Sequence, residues 1–111
     1  MFSKPTRLII RLECQGRVIG ETSSDQVKDF ITIGRSRQNT WVLPADDRAA
    51  SSNHARLYRK GKDIHVVDCE SRNGIFHAGK KITERKLLLG DQVQIGESIL
   101  SVTFDQDQTV R

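Results

Sequence analysis

His54-Ala55-Arg56-Leu57-Tyr58-Arg59, Lys60-Gly61-Lys62 and Asp63-Ile64-His65-Val66-Val67 form one continuous stretch, and they decide the fold class. The first run alternates, with Ala55, Leu57 and Arg59 on one side, and the last run returns with β-branched residues. A two-residue side-chain period on both sides of a Gly-bearing basic tip is the pattern of a β-hairpin. Two polar clusters flank it: Ser51-Ser52-Asn53-His54 before, and Asp68-Cys69-Glu70-Ser71-Arg72-Asn73-Gly74 after. Because one hairpin separates them, both clusters emerge at the same end of the fold.

Working outward, the same texture continues. Leu8–Cys14 reads as a strand ending at Gln15-Gly16, and Val18-Ile19-Gly20 pairs back on it. Phe30-Ile31-Thr32-Ile33 alternates and stops at Gly34-Arg35, and Trp41-Val42-Leu43 is short and ends at Pro44. Beyond the third cluster come Ile75-Phe76-His77, a tight turn at Ala78-Gly79, and Lys80-Lys81-Ile82. Leu87-Leu88-Leu89 is expected as a strand, being short and followed by Gly90. Val93-Gln94-Ile95 and Ile99–Phe104 complete the set. No segment holds a helical period, and many short strands at this spacing argue an antiparallel β-sandwich. The chain of 111 residues is expected to form a single domain over 1–111, with a core of about 7–104. The polar tails 1–6 and 105–111 are expected to be loosely ordered.

Composition narrows the function classes. Charged residues make up 29% and no apolar run approaches a membrane helix, so a cytoplasmic setting is expected, without membrane contact. Cys14 and Cys69 fit no paired redox or metal motif, and His54, His65 and His77 lack ligand spacing. No metal and no cofactor is expected. A net charge of +4 suits anionic partners. The Lys and Arg residues at Arg59–Lys62, Lys80-Lys81 and Arg85-Lys86 fall at tips and edges, where they discourage edge-to-edge pairing. An aromatic fraction of 5% leaves little for base stacking, which argues against nucleic acid.

The clusters carry the chemistry. Arg35 follows a strand-ending glycine and offers a planar guanidinium suited to bidentate phosphate contact. Ser51-x-x-His54 invites a hydrolase reading, but no nucleophile elbow or oxyanion hole accompanies it, and no enzyme activity is expected. A structural role suits His54, with one ring nitrogen donating to a carbonyl, while Ser51 and Ser52 offer hydroxyls to an anion. Ser71-Arg72-Asn73-Gly74 is a turn whose successive N–H groups are expected to form an anion nest, and whose Asn73 amide can hold a peptide main chain. Asp68 is expected to hydrogen-bond within this loop and preset its shape.

In this order, Gly34-Arg35, Ser51-x-x-His54-Ala55 and Asp68-x-x-Ser71-Arg72-Asn73-Gly74 resemble the signature of the forkhead-associated (FHA) family. The similarity runs from about Phe30 to Phe104 and takes in Asn39–Leu43 and Leu89-Gly90-Asp91. It implies an eleven-stranded antiparallel β-sandwich of the SMAD/FHA type that binds phosphothreonine peptides through loops at one end. By position, Arg35 and Ser51 would contact the phosphate, with Arg72 beside it. Ser52 and Asn73 would hold the peptide backbone, and Gly34, His54, Asp68 and Gly74 would support the site. Departures fall at Ser52, where Arg or Asn is frequent, at Ile75 in place of Thr, at Ala78 in place of Asn, and at Ala49, which leaves peptide preference open.

The function expected is a signalling module that recruits phosphothreonine-containing proteins or peptides. The alternative is a phospho-independent interaction or assembly domain on the same fold. Thr109 and Thr22, in polar segments, raise a further possibility of self-binding through a phosphorylated tail.

Overall fold

A computed structural model describes residues 7–104. The expectations for the tails 1–6 and 105–111, Thr109 included, lie outside the described residues. Eleven strands follow in order: β1 (Leu8–Cys14), β2 (Arg17–Ser23), β3 (Phe30–Gly34), β4 (Trp41–Val42), β5 (Ala55–Lys60), β6 (Asp63–Asp68), β7 (Ile75–His77), β8 (Lys80–Ile82), β9 (Glu84–Lys86), β10 (Gln92–Ile95) and β11 (Ser98–Phe104). They form two sheets, β2-β1-β11-β10-β7-β8 and β4-β3-β5-β6-β9. The expected eleven-stranded β-sandwich is present.

Alternation explains which face each strand buries. In β5, Ala55 and Leu57 point inward while Arg56 points to solvent, and in β6 Ile64 and Val66 are the inward pair. Opposite them, Ile10, Leu12, Val93, Ile95, Leu100 and Val102 complete the core between the sheets. Burying a large aliphatic side chain contributes roughly 1.5–3 kcal/mol, so the two inward faces dominate the stability. Arg59 shares the inward side of β5 only in its stem. Its guanidinium donates to the carbonyls of Val27 (2.8 Å) and Ser24, closing that end of the sandwich.

Three expectations need correction. The ninth strand is Glu84–Lys86, which pairs with β6, and Leu87-Leu88-Leu89 lies in the loop after it. Only Leu87 is buried; Leu88 and Leu89 are 48% and 55% exposed. The Leu88 N–H donates to the Asp91 carboxylate at 2.8 Å, which bends the chain out of the sheet. The second correction concerns β4, which pairs with β3 in parallel, Ile33 opposite Trp41 and Gly34 opposite Val42. A parallel pair normally needs a long crossover. Here the two-residue strand is reached through a compact loop, Ser36–Thr40, folded on itself by Asn39. Third, Thr22 does not lie in a flexible polar segment: it is in β2, paired with Ile10 of β1.

Trp41 closes the gap between the sheets at the β2–β4 edge. A Cβ on Gly20 of β2 would stand 2.3 Å from its ring, so the indole packs directly on that backbone. Among the described residues no helix is long and apolar enough to cross a membrane.

Candidate functional site

The strand register brings the three clusters together. Ala55 pairs with Asp68 across β5–β6, and with Ile33 across β3–β5, so Gly34, His54 and Cys69 leave the five-stranded sheet at one end. Backbone bonds then stitch the loops: His54 N–H to Ile33 O (2.9 Å) and Cys69 N–H to His54 O (2.9 Å). Beyond the sheet, Arg35 N–H donates to Ser51 O (3.0 Å) and Ser36 N–H to Ser52 O (3.1 Å). This ladder requires glycine at position 34. A Cβ there would stand 2.1 Å from Ser52 O, well inside van der Waals contact.

His54 is fully buried and joins two of the loops. Its Nδ1 accepts the Ser51 N–H at 3.0 Å, and its Nε2 lies 2.8 Å from Gly74 O. A carbonyl only accepts, so Nε2 carries the proton and the ring is neutral. With both nitrogens bonded to backbone, the imidazole has no lone pair left to take a proton from the Ser51 hydroxyl. That hydroxyl oxygen instead accepts the Arg72 N–H at 2.9 Å, which leaves the Ser51 O–H as a donor.

The third loop is braced by Asp68 and Ser71. Ser71 Oγ donates to Asp68 Oδ1 and accepts the Gly74 N–H at 2.8 Å. Gly74 has φ +83°, a left-handed conformation natural to glycine. Two side chains tie this loop to the serine loop: Arg72 donates to Arg48 O (3.1 Å) and Asn73 Nδ2 to Ala49 O (3.0 Å). These bonds correct the expected anion nest. The Arg72 and Gly74 N–H groups already have serine hydroxyl partners, so these two are not donors of such a nest. Asn73 keeps one amide N–H and its carbonyl oxygen.

The electrostatics are one-sided. Arg35 donates to Ala45 O at 3.3 Å, and its Nε is buried with no hydrogen-bond partner among the described residues. Among the described residues, no carboxylate forms an ion pair with Arg35, Arg48 or Arg72. Cys69 is a poor nucleophile, because burial pushes its thiol pKa up despite Arg56 nearby. Among the described residues no cluster of His, Cys, Asp or Glu could hold a metal ion.

Two residues essential to this geometry had no role in the sequence reading. Asn39 Nδ2 donates to both Ser36 O (2.9 Å) and Ser52 O (2.8 Å), bridging the arginine and serine loops. Asp47 is buried, and its carboxylate accepts the Ala49 N–H (3.0 Å) and the Glu97 N–H (2.9 Å), tying the serine loop to the β10–β11 turn. Asn39 stood inside the segment that carried the family resemblance. Asp47, in a polar Asp46-Asp47 pair, gave no sign of burial.

Comparison with known proteins agrees with this geometry. Residues 31–96, more than half of the chain, match the family described as FHA domain. The FHA domain-containing protein FhaB of Mycolicibacterium smegmatis is 36% identical over 73 residues, which are 65% of this chain and 46% of that protein. The chain thus spans about half the length of the curated relatives it matches. A solved structure from work on phosphothreonine-dependent FHA domain interactions superposes with a TM-score of 0.73 at 22% identity, covering 92% of this chain and 100% of that one. Mycobacterium tuberculosis EmbR, in complex with a low affinity phosphopeptide, has a TM-score of 0.69 at 22% identity, covering 87% of this chain and 24% of that one. At such identities the likeness is one of fold. With the sequence match across the site-bearing strands, it identifies the chain as a member of the FHA domain family.

Proposed function

We propose that this chain is a phosphothreonine-dependent peptide-binding module that recruits phosphorylated protein partners. One observation carries the reading: among the described residues no carboxylate pairs with the Arg35 guanidinium, and its loop is laced directly to the loop bearing the free O–H of Ser51. A phosphothreonine brings about −1.5 to −2 charges and three acceptor oxygens. Arg35 and Ser51 would donate to those oxygens, and the Arg72 guanidinium would add charge beside them. Ser52 and Asn73, both exposed, would hold the peptide main chain. Gly34, His54, Asp68 and Gly74 would support the loops rather than touch the ligand.

The site has the features of a binding surface and not of an enzyme, since its one histidine is committed to backbone. Relatives of the same fold point the same way, one from phosphothreonine-dependent interactions and one bound to a phosphopeptide. We take 1–111 as a single FHA domain with its core at about 7–104. The free thiols of Cys14 and Cys69 fit a reducing, cytoplasmic setting.

Titration of matched phosphorylated and unphosphorylated threonine peptides against wild type and Arg35→Ala tests the proposal. Charge-assisted hydrogen bonds contribute roughly 1.5–3 kcal/mol each, so Arg35→Ala should weaken phosphopeptide binding at least about tenfold. Equal binding of the two peptide forms by wild type would sink the phosphate-dependent reading.

A further inference from the structure

Residues 44–51, between β4 and β5, hold more of the site than their own side chains suggest. Two turns run through them in succession. The Asp47 N–H donates to Pro44 O (3.1 Å) and the Ala50 N–H to Asp47 O (3.2 Å), so Asp47 closes the first turn and opens the second. Its carboxylate makes the second an Asx turn, with Oδ1 accepting the Ala49 N–H at 3.0 Å. Each turn bond takes up the carbonyl of the turn's first residue, and the carbonyls of the central residues stay open to other donors.

Those central carbonyls are the ones the candidate site uses. Ala45 O accepts from Arg35 at 3.3 Å, Arg48 O from Arg72 at 3.1 Å, and Ala49 O from Asn73 at 3.0 Å. Three side chains proposed to grip the ligand are thus aimed by one short segment, with Asp47 at its middle. The segment is also fastened across the sandwich, because Asp47 Oδ2 accepts the Glu97 N–H at 2.9 Å from the β10–β11 turn of the other sheet. The fit there is close: a Cβ on Gly96 would stand 2.5 Å from Oδ2. Asp47 is buried, and among the described residues no cation pairs with it. A buried carboxylate without a counter-charge is costly unless hydrogen bonds satisfy it. Both oxygens are therefore committed to holding backbone.

We propose that Asp47 is the positioning residue of this site. Held by the β10–β11 turn, it shapes the two turns that aim Arg35, Arg72 and Asn73 at the phosphopeptide, and it does not touch the ligand itself. The inference rests on the phosphothreonine reading above. It fixes the sign of an effect. Asp47 puts a negative charge into the segment that Arg35 and Arg72 bond, so a role through charge alone means that neutralising it tightens phosphate binding. A role through position means that neutralising it weakens binding. Asparagine nearly keeps the shape of aspartate, but its amide nitrogen is a donor. In Asp47→Asn either the Ala49 N–H or the Glu97 N–H must lose its acceptor.

The test reads fluorescence anisotropy of the matched phosphothreonine and threonine peptides, at a temperature where thermal melts show each variant folded. Asp47→Asn should weaken phosphopeptide binding about tenfold. In an Arg72→Ala/Asn73→Ala background the same substitution should cost no more than about threefold, because two of the aimed side chains are gone. Glu97→Pro removes the N–H that Oδ2 accepts while leaving Asp47 in place, and it should weaken binding about threefold. This second variant decides the matter if Asp47→Asn does not fold. Unchanged or tighter binding by Asp47→Asn would overturn the positioning role. So would an equal loss in both backgrounds, which a general loosening of the fold would give, and so would wild-type affinity in Glu97→Pro. Equal wild-type affinity for the two peptides would overturn the phosphothreonine reading and this inference with it, whereas the other outcomes leave that reading intact.

Discussion

The two ends of the sandwich each hold an arginine, and they use it in opposite ways. At the far end Arg85 grips Asp91 through two bonds, Nε to Oδ2 at 2.9 Å and an NH2 to Oδ1 at 3.0 Å. Asp91 is buried, also accepts the Leu88 N–H, and lies 3.5 Å from His77 Nε2. Burial works against its charge, but the Arg85 and Leu88 hydrogen bonds and the charge of Arg85 carry its pKa below the ordinary carboxylate value. At the site end Arg35 donates to a backbone carbonyl, with no carboxylate paired to it among the described residues, and its loop is tied to the serine loop by backbone bonds and the neutral Asn39 amide. A neutralised arginine is cement. An arginine left uncompensated, in a scaffold that does not need its charge, is free for an anion.

Asp91→Asn breaks the far end most. Removing one partner of a mostly buried pair leaves Arg85 without its carboxylate, and the loss should be roughly 3 kcal/mol, a Tm fall of about 15 °C. Phosphopeptide affinity should stay within about twofold of wild type. The pH dependence follows from the depressed pKa. Stability from Asp91 is fully present above the ordinary carboxylate pKa of about 4, and it is lost as pH falls through the lower folded value. Thermal melts of wild type and Asp91→Asn should therefore converge in acid. A gap that stays constant down to low pH would show that the charge is not what matters.

Gly34→Ala should blur the two ends by damaging both properties at once. The new Cβ meets Ser52 O, a backbone atom that moves only with its loop. We expect about 2 kcal/mol of lost stability and a fall in peptide affinity of about tenfold, both read from one purified variant. Arg35→Ala separates what Gly34→Ala joins: affinity falls at least about tenfold while Tm shifts by no more than about 3 °C. A large Tm loss there would make Arg35 structural, like Arg85.

Ala78→Asn carries the smallest effect and the opposite sign. Ala78 and Gly79 have φ +52° and +79°, the left-handed pair that a two-residue hairpin turn demands. Alanine pays a steric penalty there that asparagine partly escapes. The substitution should raise stability by up to about 1 kcal/mol in denaturant unfolding and leave peptide affinity unchanged.

Much of this was legible in the chain. Alternation at Ala55-Leu57 and Ile64-Val66 set the central hairpin, and with it the common end of the second and third clusters. The Leu87–Leu89 run misled because three apolar residues carry no period that tells strand from loop. Asp91, three positions on, decided it by capturing the Leu88 N–H. The pairing of β4 was equally hidden, since a two-residue strand has no pattern and its direction depends on how Asn39 folds the loop before it. The turn Ser71–Gly74 suggested an anion nest because local sequence shows where N–H groups cluster, not which hydroxyls reach them from elsewhere.

The sequence by itself determined the sandwich, the three loops at its rim, and the side chains proposed to grip a phosphate. Local patterning suffices for these, because a strand's two-residue period and a glycine's freedom are properties of neighbouring residues. Only the tertiary structure decided which groups remain available. Ser51 keeps its O–H as a donor because Arg72, twenty-one positions away, supplies the N–H that its oxygen accepts. Among the described residues no carboxylate pairs with the Arg35 charge, whereas the charge of Arg85 is balanced by Asp91. Satisfaction of a polar group is settled by whatever the fold brings within about 3 Å, and that distance is written nowhere in the order of residues.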